Sequence, residues 1–212
     1  MNKADTLIGE SVKQLVSLVQ NRPFRFKETK RANAARYLRG LTTFEGLSEE
    51  EISTLETSLQ VNFPVIFRSY LQRLGKARGD LFKGSEVEPQ KFKEYRQWAE
   101  ALLQENDVPS FLTDTTIVFL FHQGYSFTYF EAAGMFDAPV YNYTEGNVGP
   151  QKIAETFSEF LDAEIQRMEH LNQTLYLNGG YFLTVNQQGI KQTFPTRSSP
   201  IRPLDSEDRF ID

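Results

Sequence analysis

Thr115-Thr116-Ile117-Val118-Phe119-Leu120-Phe121, then His122-Gln123-Gly124, then Tyr125-Ser126-Phe127-Thr128-Tyr129-Phe130-Glu131: this stretch decides the fold class. The first run is almost wholly β-branched or aromatic, a composition that suits a pleated, half-buried surface. The last run alternates, and the three residues between them form a turn ending in glycine, so the two runs pair as a hairpin. Ala138-Pro139-Val140-Tyr141-Asn142-Tyr143 reads as a third strand, followed by a turn at Glu145-Gly146-Asn147. Connections this short force neighbouring strands to run antiparallel. Residues 115–121, 125–131 and 138–143 are therefore expected side by side.

Outside this block the apolar period becomes helical. On the C-terminal side, Pro150 is expected to open a helix to about residue 170, with Ile153, Phe157, Phe160, Leu161 and Ile165 on its core face. On the N-terminal side, Pro89 opens a helix carrying Phe92, Tyr95, Trp98 or Ala99, and Leu102, with Asn106 as its cap. Residues 76–88 read as a loop with one short strand at 80–83. Pro64 suits the first position of a helix that buries Phe67, Tyr70, Leu71 and Leu74 and closes at Gly75. Ser48 followed by Glu51 is a capping box for a helix from about 49 to 60, with Ile52, Leu55 and Leu59 on one face. Residues 5–20 form an amphipathic helix through Ile8, Val12, Leu15, Val16 and Val19, and 29–39 a second short one. Residues 181–185 and 190–194 suggest a last hairpin around Gln187-Gln188-Gly189. Three prolines and a cluster of acids then mark a loose tail. The division that follows is a helical, partly basic extension over 1–44, a main domain over 45–170, and a C-terminal hairpin with an acidic tail over 171–212.

Composition excludes several chemistries. The 212 residues contain no cysteine, so disulfides, thiolate metal sites and cysteine nucleophiles are absent. The two histidines, His122 and His170, lie in different elements without metal-ligand spacing, and His122 reads as a polar turn residue. There is no nucleophile-elbow Gly-x-Ser-x-Gly and no phosphate loop, and Asn178-Gly179-Gly180 is a turn signal. No apolar run is long enough to span a bilayer, and the N-terminus lacks the smooth apolar stretch of a signal peptide. A cytoplasmic protein without cofactor or metal is the expectation. The Asn-x-Thr matches at Asn142 and Asn172 then carry no meaning.

Charge is uneven. The net is −5, but residues 22–39 hold seven basic side chains against one acid, and residues 98–170 hold twelve acids against Lys152 and Arg167. The basic stretch suits a solvated helix and loop or an acidic surface; direct contact with nucleic acid is the less favoured reading. The acidic part suits a basic partner, or simple solvation. Within it, Glu131, Asp137 and Glu145 lie at strand ends among Tyr125, Phe127, Tyr129, Phe136, Tyr141 and Tyr143. Three readings stand. The carboxylates serve acid–base work. Alternatively, Tyr125, Tyr129, Glu131, Asp137, Tyr143 and Glu145 form an aromatic and acidic contact surface. Or the aromatics fill the core and the acids are solvated. Glu56 shares a helix face with Ile52 and Leu59. A carboxylate there needs donors, and the free N–H groups at the start of the Pro64 helix are expected to supply them.

The order of the pieces resembles the SMI1/KNR4 family, or SUKH superfamily, over about residues 45–168. The capped acidic helix Leu47-Ser48-Glu49-Glu50-Glu51-Ile52 leads to Leu55-Glu56 and Leu59. Then come Phe63-Pro64 and a helix with Phe67 and Tyr70-Leu71, aromatic meander strands, Pro139-Val140-Tyr141, and Ile153-Ala154-Glu155-Thr156-Phe157-Ser158-Glu159-Phe160-Leu161. After the second helix, where members often carry Asn-Gly, this chain reads Leu74-Gly75-Lys76-Ala77-Arg78-Gly79-Asp80. The resemblance implies an α+β fold, a twisted, mostly antiparallel β-sheet with helices packed against it. It also implies a non-enzymatic binding role. Bacterial members resemble immunity proteins that neutralise toxins such as nucleases, and others look like scaffold or regulatory proteins. An enzyme acting through Glu131, Asp137 or Glu145 would lack a nucleophile, a metal set and a cofactor loop.

Overall fold

The computed structural model describes residues 3–20, 40, 43–177, 181–185 and 191–195. The basic stretch at 22–39, with its expected short helix, and the tail after 195 lie outside these residues. In chain order the elements are α1 (Lys3–Gln20), β1 (Phe44–Glu45), α2 (Glu49–Leu59), α3 (Val65–Leu74), β2 (Ala77–Arg78), β3 (Ser85–Glu86), α4 (Phe92–Glu105, entered through a 3₁₀ turn at Pro89–Lys91), β4 (Thr116–His122), β5 (Ser126–Glu131), β6 (Val140–Thr144), β7 (Gln151–Ala154), α5 (Phe157–Leu177), β8 (Tyr181–Val185) and β9 (Lys191–Pro195).

The fold is α+β, with helices packed on a twisted antiparallel sheet of order β3-β4-β5-β6-β7. The central hairpin forms as its residues dictate. Gln123 and Gly124 both have positive φ (48° and 85°), the geometry of a tight hairpin turn whose twist matches its strands. From there the register runs His122↔Ser126, Phe121↔Phe127 and Leu120↔Thr128, slips at a bulge, and resumes as Val118↔Tyr129 to Thr116↔Glu131. β5 and β6 pair through Phe127↔Tyr143 and Tyr129↔Tyr141, so these four aromatics share one face. The third strand starts two residues later than expected and runs on to Thr144.

Two expectations fail. Residues 151–154 do not begin a helix but form β7 along the free edge of β6, and Ile153 is exposed. The helical period there began too early. The segment satisfies its backbone groups against β6, and the true helix starts at Phe157, where its first N–H groups find a cap. Its buried stripe is Phe157, Phe160, Leu161 and Ile165. Residues 80–83 are turn rather than strand, with Phe82 at φ 59° and its ring stacked on Phe160. The short strands lie on either side, and Ala77–Arg78, where the chain departs from the Asn-Gly pattern, pairs with Phe44–Glu45.

The core centres on Phe67. Its fully buried ring meets those of Phe63, Tyr70, Phe92, Phe119, Phe130 and Phe157 at centroid distances of 4.7 to 6.1 Å, so α3, α4, the sheet and α5 converge on one side chain. α1 joins the same core. Ala4, Ile8 and Leu15 are buried in it, and the Ser11 hydroxyl donates to Asp162 of α5 at 2.8 Å. Thus, within the 1–44 extension, α1 packs on the domain itself. β8 and β9 pair as a separate two-stranded ribbon. No helix among the described residues is long and apolar enough to cross a membrane.

Gly46 marks the tightest approach. A Cβ there would lie 1.7 Å from the Gln72 carbonyl oxygen, because the Leu47 N–H bonds the Leu71 carbonyl and draws this segment onto α3. Gly46→Ala is expected to destabilise the domain by about 3 kcal/mol, as overpacking against rigid backbone does. Gly149→Ala, with open space around its Cβ, is expected to stay within about 0.5 kcal/mol. Urea denaturation of both variants checks this, and equal midpoints would refute the close approach.

Candidate binding groove

The structure separates the six residues expected to form a contact surface. Tyr129 and Tyr143 are core residues, 5% and 0% exposed, stacked among Phe111, Phe127 and Tyr141. Register explains the correction: both share a face with Phe127, and Phe111 covers that face. Burial, reinforced by the Glu131 and Tyr141 charges, pushes the Tyr129 hydroxyl up to about 12. It stays protonated at neutral pH.

Two of the three acids bind their own chain. Glu131 accepts from the Thr113, Thr115 and Thr116 hydroxyls at 2.5, 2.8 and 2.6 Å, tying the entry of β4 to the end of β5. Asp137 accepts from the Phe157 N–H at 2.9 Å, the Ser158 hydroxyl at 2.5 Å and the Ala138 N–H at 3.0 Å. It caps the first N–H groups of α5 from twenty residues upstream, beside the Thr156 hydroxyl that accepts from the Glu159 N–H at 3.2 Å, where a carboxylate meets unpaired N–H groups and the positive end of the helix. Only Tyr125 and Glu145 of the six are exposed, and they are neighbours: the Glu145 N–H donates to the Tyr125 carbonyl at 2.8 Å. Glu131 lies at the other end of β5, so the three carboxylates form no common acid–base site.

Glu56 is structural by a different route from that expected. It accepts from the Phe63 N–H at 2.8 Å and pairs with Arg68, which also reaches Glu49. Pro64 is the N-cap of α3, one position before its expected place. The first N–H groups of α3, from Val65 and Ile66, bond the Met135 and Phe136 carbonyls instead of Glu56.

A pocket lies between α4 and the β3–β4 edge. It has a volume of about 500 Å³ and is lined by Trp98, Ala101, Leu102 and Glu105 of α4, by Gly84 and Glu86 around β3, and by Phe121, Gln123 and Gly124. Trp98, Ala101, Leu102 and Glu105 follow helical i, i+3, i+4, i+7 spacing, so one stripe of α4 forms the wall. Phe121 and Leu102 are buried and make an apolar base, while Glu86 and Glu105 are exposed. Trp98 is 40% exposed and its ring is held edge-on against Phe121 at 5.6 Å and tilted against Tyr95 at 5.3 Å. Glu86 has Lys91 at 3.6 Å, and Glu105 has no partner among the described residues.

The groove continues toward Tyr125. The Ser85 hydroxyl and His122 Nδ1 share a hydrogen bond of 2.8 Å across β3 and β4, and the Tyr125 ring stands edge-on to His122 at 5.3 Å. No carboxylate bonds His122 among the described residues, so this pair lacks the orienting acid of a serine nucleophile. By helical period alone, Trp98 and Ala99 are interchangeable on the apolar face of this helix. The signal that marks Trp98 is its place off the Phe92, Tyr95, Ala99, Leu102 stripe. A large aromatic beside a completed buried face has to lie at the surface.

The two engaged acids and the exposed one should differ in stability effect. Asp137→Ala is expected to cost about 1–2 kcal/mol as a lost helix cap. Glu131→Ala should cost about as much, since three hydroxyls lose a charged acceptor. Glu145→Ala should stay within about 0.5 kcal/mol. Chemical denaturation measures all three, and a neutral Asp137→Ala would refute the capping role.

No curated protein matches this chain significantly. A family model does match: that of the SMI1 / KNR4 family (SUKH-1), over residues 46–163. The match begins at Gly46, whose close approach seats the chain on α3, and takes in the capping box, the Phe67 core, the whole five-stranded sheet, the groove and the Asp137-capped start of α5. It covers more than half of the 212 residues, and with the α+β architecture it establishes that this chain belongs to the SMI1/KNR4 family (SUKH-1).

Proposed function

We propose that this protein is a non-enzymatic binding module of the immunity type, which holds and neutralises a cognate toxin bearing a basic surface, such as a nuclease domain, in the cytoplasm. The observation that carries the reading is the groove. An exposed tryptophan, fixed by two ring contacts, stands beside two carboxylates, and the surface runs on through the β4–β5 turn to Tyr125 and Glu145. Rigid aromatics supply contact area at low entropy cost, while exposed carboxylates steer a basic partner and reject an acidic one. Membership of the SMI1/KNR4 family supports the same reading. Against acid–base catalysis stands the engagement of Glu131 and Asp137 in the fold.

The test is co-expression with any toxin-like reading frame found immediately beside this gene; the absence of such a frame would favour a scaffold or regulatory role instead. Cells carrying both are expected to grow, and cells carrying the toxin alone to die. With the purified pair, the association rate should fall at least about tenfold as salt rises from about 0.05 to 0.5 M, because exposed charges are screened over the shrinking Debye length. Charge reversal at Glu86, Glu105 and Glu145 together should slow association more than it speeds dissociation. An association rate that does not change with salt would rule out electrostatic steering.

A further inference from the structure

We infer that the groove between α4 and the β3–β4 edge is a receptor for an arginine side chain of the partner. This deepens the binding-module reading above and rests on it. The lining has the order that such a side chain requires. Its base is apolar, with Phe121 and Leu102 each 4% exposed, and suits three methylene groups. Its wall is the open face of Trp98, held in place by Tyr95 and Phe121. A guanidinium is planar and weakly hydrated, so it stacks on an indole better than an ammonium does. The exposed edge carries Glu86 from β3 and Glu105 from α4, two acceptors on opposite walls. A guanidinium has five N–H donors in a fixed fork and can serve two carboxylates at once, whereas lysine offers a compact and strongly hydrated point charge.

Neither carboxylate is locked into a strong pair, although Glu86 also lies against the Glu88 carboxylate. Glu105 has no partner among the described residues, and the Glu86–Lys91 contact of 3.6 Å joins two side chains about half exposed. Such a pair contributes little and yields to a better-placed cation. The rim is also bare where a partner backbone must approach. Gly84 and Gly124 hold φ of +88° and +85°, and a Cβ on Gly124 would meet nothing within 4 Å. Phosphate-bearing ligands are disfavoured by the same two carboxylates. The volume of about 500 Å³ falls within the usual range of about 300–1,000 Å³ for ligand sites. It admits the neighbours of the arginine as well.

Trp98 is the only tryptophan in the chain, so its fluorescence reports the groove directly. Hexa-arginine titrated into the full-length protein is expected to change the emission saturably. Half-saturation should come at a concentration at least about fivefold below that for hexa-lysine, and hexa-citrulline, which is uncharged, should have no effect. Glu86→Gln and Glu105→Gln should each raise the apparent Kd about fivefold or more. Both sites are exposed, so the fold is expected to be retained, with circular dichroism as the check. No emission change, equal responses to arginine and lysine, or indifference to Glu105→Gln would overturn the inference. A further variant replaces Arg22, Arg25, Arg31, Arg36 and Arg39 by Gln. If it alters the emission before any peptide is added, the groove belongs to the chain's own basic segment and the partner assignment is wrong. The two levels fail separately. A toxin neutralised equally well by the wild type and by the Glu86→Gln/Glu105→Gln double variant would sink the arginine receptor and leave the immunity reading standing. Arginine binding as expected, with no neutralisation by the wild type, would do the reverse.

Discussion

The buried ring of Phe67 is the constraint on which the rest of this structure depends. It meets Phe63 and Tyr70 from its own side, Phe92 from the start of α4, Phe119 and Phe130 from the sheet, and Phe157 from the first residue of α5. Aromatic pairs at these distances add about 0.5–1.5 kcal/mol each beyond the area they bury, so a hub of this kind sets the positions of four elements together. It also demands close approach behind it. α3 can lie deep enough only because Gly46 and Gly75 let the β1 segment settle onto its C-terminal turn. The groove is a consequence, since α4 is placed at one end by Phe92 and its other end is left beside β3 and β4.

Carboxylates do two different jobs in this chain, and charge counting does not tell them apart. Asp137, Glu131 and Glu56 each accept several hydrogen bonds from segments remote in sequence, and hold the start of α5, the β4–β5 end and the α2–α3 corner. Glu51 is local, and the Ser48 N–H together with Lys76 keeps its carboxyl below the usual range. Glu86, Glu105 and Glu145 are exposed and largely uncommitted. The acidic surplus over residues 98–170 is thus partly scaffold, and two of its exposed members, Glu105 and Glu145, stand by the groove and the β4–β5 turn.

Much of the fold was legible in the residues because it is governed by local rules. The capping box at Ser48 and Glu51 needs only three residues of separation. The hairpin at Gln123-Gly124 needs two positive-φ positions and two alternating runs. The stripes of α1 to α4 follow from a period of 3.6. Of the six residues expected to form a contact surface, Tyr129 and Tyr143 prove to be buried, because which face of β5 and β6 lies inward depends on what covers it. Phe111 does so from a loop before β4, and it turns Tyr129 and Tyr143 into core.

By itself, then, the sequence determined the antiparallel hairpin, the capping box at Ser48 and Glu51, the apolar stripes of α1 to α4 and the exclusion of thiol chemistry. All of these rest on hydrogen bonds and periodicities within a few residues. Tertiary structure decided the rest. Residues 151–154 became a strand because β6 had an unpaired edge to offer them. Asp137 became a helix cap because the β5–β6 loop ends at the first turn of α5. Trp98 became a groove wall because the stripe beside it was already buried against the sheet. In each case the deciding partner lies beyond the reach of a helical turn or a tight hairpin turn, so no period read along the chain carries it. Only the simultaneous burial of the Phe67 cluster brings the two parts together.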